Sequence, residues 1–232
     1  MESVVVYLVS LALTLLLGGG AVGWFFSGLK PMKRQLKKLP LHPLSNVPEG
    51  EEVRVTGVVE LFEGSEVYAP LSGRSCAAWH IRVSEVSPGV DSRRRFTKLV
   101  VDESGAADAF LIRDGSHTAV VNATAIEVAL HKDHAGDNAR MLADVPPELR
   151  DFLEARGIQT TRRLAGPKNY AYREGVIEAG ETITVAGTAR WELDPSKRGD
   201  GYRDVGKQLH LRPLASGKVL LSDAPSLVEL GA

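Results

Sequence analysis

The chain has 232 residues, 25% of them charged and 44% hydrophobic, with a net charge of −1 and one cysteine, Cys76. That length supports one sizeable domain or two small lobes, and the lone cysteine excludes an internal disulfide and any zinc cage of the finger or RING type. The charge is uneven: five basic residues cluster before Ser45, which leaves a surplus of about five acidic charges from Asn46 onward, a poor surface for nucleic acid, whose binding rests on clustered Lys and Arg.

Residues 4–26 read VVVYLVSLALTLLLGGGAVGWFF, with Tyr7 as the one ionisable side chain. As a helix this run is about 34 Å long, enough for a hydrocarbon layer of about 30 Å. Helix is the form required there, because lipid offers no partner to backbone N–H and C=O groups. Gly18, Gly19 and Gly20 either admit a second helix at close range, a route to oligomers, or are merely small. Trp24 suits the interfacial aromatic belt. Lys30, Lys33, Arg34, Lys37 and Lys38 follow at once, and positive flanks stay on the cytoplasmic side. The expectation is a single-pass protein of the cell membrane, N-terminus outside and domain cytoplasmic, whose basic flank also holds anionic headgroups. A cleaved leader is the rival, but it wants a basic beginning and a shorter apolar core.

Residues 27–50 read as a basic juxtamembrane segment and then a spacer stiffened by Pro40, Pro43 and Pro48. Residues 51–232 read as a β-rich domain. Val53 to Val59 alternates and then breaks at Gly57; Trp79, Ile81 and Val83 alternate with polar neighbours. Phe96 to Val101, Ala109 to Ile112, Thr118 to Val121 and Ile126 to Leu130 continue the pattern, with a hairpin at Asp114-Gly115. One helix is expected over 144–157, capped by Asp144, opened by Pro146 and Pro147 and ended by Gly157, with Leu149, Phe152 and Leu153 on one face. Four more strands follow: Tyr172 to Glu178, Thr182 to Trp191, Gln208 to Pro213 and Lys218 to Ser222.

The later strands echo the earlier ones. Val53-Arg-Val-Thr-Gly57 matches Ile183-Thr-Val-Ala-Gly187, and Leu111-Ile-Arg113 with Ala119-Val-Val121 matches His210-Leu-Arg212 with Lys218-Val-Leu220. The fold class expected is therefore mainly β: one N-terminal transmembrane helix, then a β-barrel or sandwich with one short packed helix. Two similar half-units, 51–143 and 170–232, joined by the helix, would explain the echo.

Ala69-Pro-Leu-Ser-Gly-Arg-Ser-Cys76, Phe110-Leu-Ile-Arg-Asp-Gly115, Ala119-Val-Val-Asn122 and Tyr172-Arg-Glu-Gly-Val-Ile-Glu-Ala-Gly180 with Val185-Ala-Gly187 together resemble the GIDE domain. That domain is named for the mitochondrial membrane-anchored E3 ubiquitin ligases also called MULAN. The resemblance spans roughly Val53 to Asp223 and implies a β-rich domain that recognises protein partners beside a membrane; a form without a RING looks bacterial. In the ligases a separate RING recruits the conjugating enzyme. A chain with one cysteine has no RING, so ligase activity is not expected of it alone.

Three constellations carry other chemistry. His131, His134 and Asp137 are the densest set of metal-ligand types, although Gly136-Asp137-Asn138 reads as a solvated loop. Cys76 near Arg74 is a nucleophile only if its thiol is activated; otherwise it is a small buried residue entering the Trp79 strand. Arg93, Arg94 and Arg95 form a basic tip. No catalytic signature and no cofactor motif stands out. The expected function is recognition of a membrane-associated protein at the cytoplasmic membrane face, through Tyr68, Arg74, Cys76, Trp79 and Arg93 to Arg95, with no catalysis of its own. The alternatives are a subunit of a ubiquitin-ligase-like system, a structural partner in a membrane-organising or membrane-protease complex, and a hydrolase or metalloprotein built on Cys76 or on His131 and His134.

Overall fold

The computed structural model describes residues 29–88, 95–131, 134–137, 145–162, 166–198 and 205–228. The apolar run 4–26, with Gly18, Gly19, Gly20 and Trp24, lies outside the described residues, as do Arg93, Arg94 and Asp144. Among the described residues no helix is long and apolar enough to cross a membrane.

The protein is mainly β. After helix α1 (Leu29–Lys38) come β1 (Glu52–Glu60), β2 (Val67–Tyr68), β3 (Ser75–Cys76), β4 (Ala78–Pro88) and β5 (Arg95–Ala106). These are followed by β6 (Ala109–Asp114), β7 (His117–Asn122), β8 (Ile126–Ala129), β9 (His134–Asp137) and helix α2 (Pro147–Glu154). The chain continues through β10 (Thr161–Arg162), β11 (Gly166–Pro167), β12 (Asn169–Ile177), β13 (Thr182–Arg198), β14 (Val205–Arg212), β15 (Val219–Ser222) and the short helix α3 (Pro225–Val228).

Five strands close a barrel. β1 pairs with β6, β6 with β7 and β13 with β14, all antiparallel; β7 meets β14 in parallel, and β13 returns antiparallel to β1. In chain order the fourth barrel strand lies beside the first, a Greek key, and a five-stranded Greek-key barrel is the architecture of OB-type domains. Period-2 alternation fills it: Val53, Val55, Phe110, Ile112, Leu209 and Leu211 meet inside with no exposure above 1%. Asp114 faces His117 across the hairpin, where Gly115 takes φ +57; that conformation is cheap only for glycine.

The sequence echo has a structural counterpart. β1 and β13 run against each other about a centre at Val55 and Val185, so Val53 faces Gly187 and Gly57 faces Ile183. The flanking ladders keep one register: Val58 faces Arg113 and Val59 faces Ile112, as Thr188 faces Arg212 and Ala189 faces Leu211. The turns agree too. Gly180 N–H donates to Val59 O, and Gly50 N–H donates to Ala189 O, each at 2.9 Å. Gly57 and Gly187, the glycines of the echo, are places of close approach. A Cβ on Gly57 would lie 2.9 Å from the Arg113 carbonyl oxygen, and one on Gly187 would lie 2.7 Å from that of Arg212, so only glycine lets the next strand cross so near. The echo does not divide the chain into two bodies, because one barrel takes strands from both stretches. β15 also leaves the symmetry: it pairs with β13 and β8, whereas β7 pairs with β6 and β14.

A second sheet of order β5-β4-β12-β9 stands beside the barrel. α2 lies on it, burying Leu149, Phe152 and Leu153 against Ile81, Val83, Val101 and Tyr170. Gly157, at φ +71, follows the helix as expected.

The stretch read as spacer is part of the domain. Met32 and Leu36 of α1 are buried against Ala129, Ala186, Leu220 and Leu227. Leu44 and Val47 join the barrel core. Arg54 N–H donates to Pro40 O at 2.8 Å, and His42 N–H donates to Arg54 O at 2.9 Å. The prolines break helix, as expected, but the apolar residues between them find a surface to cover.

Candidate functional site

The cleft that gathers the most chemistry lies where the 69–74 loop, β9, β12 and the start of α2 converge. It encloses about 500 Å³, with Leu71, Ser72, Arg74, His134, Glu148 and Tyr172 among its walls. Alternation on β12 sends Tyr172 and Glu174 to the same side of the sheet as α2. Glu174 has no solvent exposure. Its carboxylate accepts the N–H of Leu71 and the N–H of Ser72, each at 2.9 Å. Two such charge-assisted bonds are what a buried carboxylate needs, and they pin the loop across about a hundred residues of sequence.

Arg74 is held at the same place by Glu178, at 3.4 Å. The His134 and Tyr172 rings sit 5.7 Å apart at 43°. Burial, then the Glu148 and Glu174 carboxylates, pushes the Tyr172 phenol above its ordinary pKa. Glu148, in the first turn of α2, is exposed.

The residues singled out from sequence divide. Arg74 lines the cleft, and Tyr68 lies on β2, 65% exposed and opposite Ser75. Cys76 is fully buried between Ala69 and Val176 and donates its S–H to Val67 O at 3.5 Å. Burial first, then Glu174 and Glu178, pushes its thiol up to about 11, which removes the nucleophilic reading at neutral pH. Trp79 is half-buried and packs over Gly105, where a Cβ would come within 2.6 Å of the indole. Arg95 opens β5 opposite Pro88.

His131, His134 and Asp137 were read as a loop. Instead His134 to Asp137 form β9, paired with Ala171 to Glu174; the β12 edge overrides the turn signal of Gly136-Asp137. His131 N–H donates to both oxygens of Asp223, each at 2.8 Å. Among the described residues no three His, Cys, Asp or Glu side chains come together as a metal site. In α1, Arg34, Lys37 and Lys38 are exposed and Lys33 is half-buried; Lys30 lies in the first turn.

Sequence reasoning missed Glu174, Glu148 and Tyr172 as a set. Glu174 carried one signal: an acidic residue at an inward position of an alternating strand. Comparison with family models, with curated proteins and with solved structures finds no match. None of these comparisons identifies a GIDE domain.

OB-type barrels bind oligonucleotides on the face of their second and third strands, with aromatic stacking as the common device. Here those strands, β6 and β7, present Leu111, Arg113, Thr118, Val120 and Asn122 outward, with no Phe, Tyr or Trp among them. Arg113 is bound to Glu60 by two hydrogen bonds, and Arg212 nearby is bound to Glu192. Both guanidinium groups are thus paired within the chain.

Proposed function

We propose that this protein is a membrane-tethered recognition domain. Residues 4–26 hold it in the cell membrane, N-terminus outside, and the β-rich domain meets a membrane-associated protein at the cytoplasmic face through the cleft and the loop 69–74. The observation that carries the reading is α1. It follows the apolar run after two residues, and its apolar side is docked against Ala129 of β8, Ala186 of β13, Leu220 of β15 and Leu227 of α3. Its basic side, with Arg34, Lys37 and Lys38, is exposed. An anchor joined this way holds the domain close to anionic headgroups. Confinement to a surface raises the effective concentration of a partner in the same membrane, so modest contacts suffice.

The full chain should stay in the membrane fraction through alkaline carbonate, and protease added outside sealed cells should spare the domain. A photocrosslinker at Tyr68, opposite the residue that follows Arg74, should capture a protein that the same group at Leu193 does not. Both positions are about equally exposed, at 65% and 67%. Release by carbonate, digestion from outside, or equal capture at both positions overturns the reading.

A further inference from the structure

We propose that the cleft receives an arginine side chain of the partner, its guanidinium laid against the Tyr172 ring and hydrogen-bonded by the Glu148 carboxylate and the Ser72 hydroxyl. The inference rests on the reading of the cleft as the recognition site and names the chemistry that the site selects.

Three features point the same way. First, both groups left to bind can accept: a carboxylate, and a hydroxyl that also carries one donor. Glu148 is exposed at the cleft and has no ion pair with a described residue. The Ser72 Oγ is shielded from solvent and has no hydrogen-bond partner among the described residues, while the Ser72 N–H is already given to Glu174. A guanidinium is a planar group with five donors and no acceptor, so it complements such a set.

Second, the wall is aromatic. The Tyr172 and His134 rings, tilted at 43°, form a surface on which a flat cation stacks. An ammonium, being compact and strongly hydrated, uses that surface less well.

Third, the resident cation is already committed. Arg74 is bound to Glu178 at 3.4 Å. The field that Glu148 and Glu174 set at the Tyr172 hydroxyl is negative, which favours a positive ligand over a carboxylate or phosphate.

The test uses the full chain in detergent micelles, titrated with N-acetyl-arginine methylamide while the ring resonances of Tyr172 and His134 are followed by NMR. The expected result is a saturable shift of both rings. It should weaken about tenfold in Glu148→Gln, the range expected for loss of one charge-assisted hydrogen bond. Ser72→Ala should weaken it less. N-acetyl-lysine methylamide should bind several-fold more weakly, and N-acetyl-glutamate methylamide should leave the rings unmoved. No saturable shift with the arginine probe, equal affinity for the lysine probe, binding of the glutamate probe at the same rings, or an unchanged response in Glu148→Gln each overturns the proposal. Capture from Tyr68 is read separately, so loss of the arginine response with capture intact removes this inference and leaves the recognition reading standing.

Discussion

The barrel and the sheet beside it use similar residues to different ends. Inside the barrel, Val53, Val55, Phe110, Ile112, Leu209 and Leu211 pack together, while Arg54, Thr184 and Gln208 alternate with them on the other side of the strands and are buried there under neighbouring elements. On the outer sheet the helix-covered side includes a fully buried carboxylate, Glu174, among Ile81, Val83 and Tyr170. The first arrangement fixes a shape. The second fixes a loop, because a buried ion must keep its named partners, and the cleft is bounded by the loop so fixed.

Perturbations should therefore separate the two regions. The largest effect is expected in the barrel: Phe110→Ala removes a fully buried ring and should cost about 3–5 kcal/mol, read as a fall in the denaturant midpoint for the whole domain. Next comes Glu174→Ala, which leaves the Leu71 and Ser72 N–H groups without their acceptor. A cost of about 2–3 kcal/mol is expected, with faster amide exchange confined to 69–74 rather than spread over the barrel. If exchange rises everywhere, the loop and the barrel are one cooperative unit and the contrast fails.

Gly187→Ala and Gly57→Ala probe the internal symmetry. Each added methyl meets a carbonyl oxygen, at 2.7 Å and 2.9 Å respectively, so both should destabilise by about 1–3 kcal/mol and by similar amounts. A large disparity in thermal midpoints would show that the two crossings are not energetically equivalent.

The smallest effect concerns the solvent side of the outer sheet. A hydrogen bond from His80, and then Arg82, holds Asp102 down at about 2. A carboxylate with a depressed folded-state pKa stabilises above its unfolded value of 3.8 and loses that stability as pH falls through about 2. Asp102→Asn should flatten the fall in stability between those values. The group is partly solvated, so the change should stay below about 1 kcal/mol in acid titrations of unfolding.

Most of the local structure was legible in the sequence. Alternation placed Val53 to Val59, and Asp114-Gly115 placed the hairpin. Leu149, Phe152 and Leu153 placed the buried face of α2. What stayed hidden was long-range. The parallel pairing of Leu209 with Ala119 leaves no mark on either strand. β9 was concealed because Gly136-Asp137 reads as a turn until the β12 edge is supplied. The prolines of 39–50 disguised a segment that pairs with Arg54. The site was legible only in pieces: Arg74 and His134 were picked out, but their meeting with Tyr172 and Glu148 depends on how α2 crosses the sheet, and periodicity does not carry a crossing geometry.

Closure of the barrel also has a consequence in time. Thr56 and Thr184 face each other on its seam, 128 residues apart in sequence. A polypeptide emerging from the ribosome cannot complete that seam until nearly all of it has been made, and contacts of such long span form slowly. Throughout that interval β1 offers an unmated edge. Early capture of the leading residues by a bilayer would keep nascent copies spaced apart until β13 arrives to cover it.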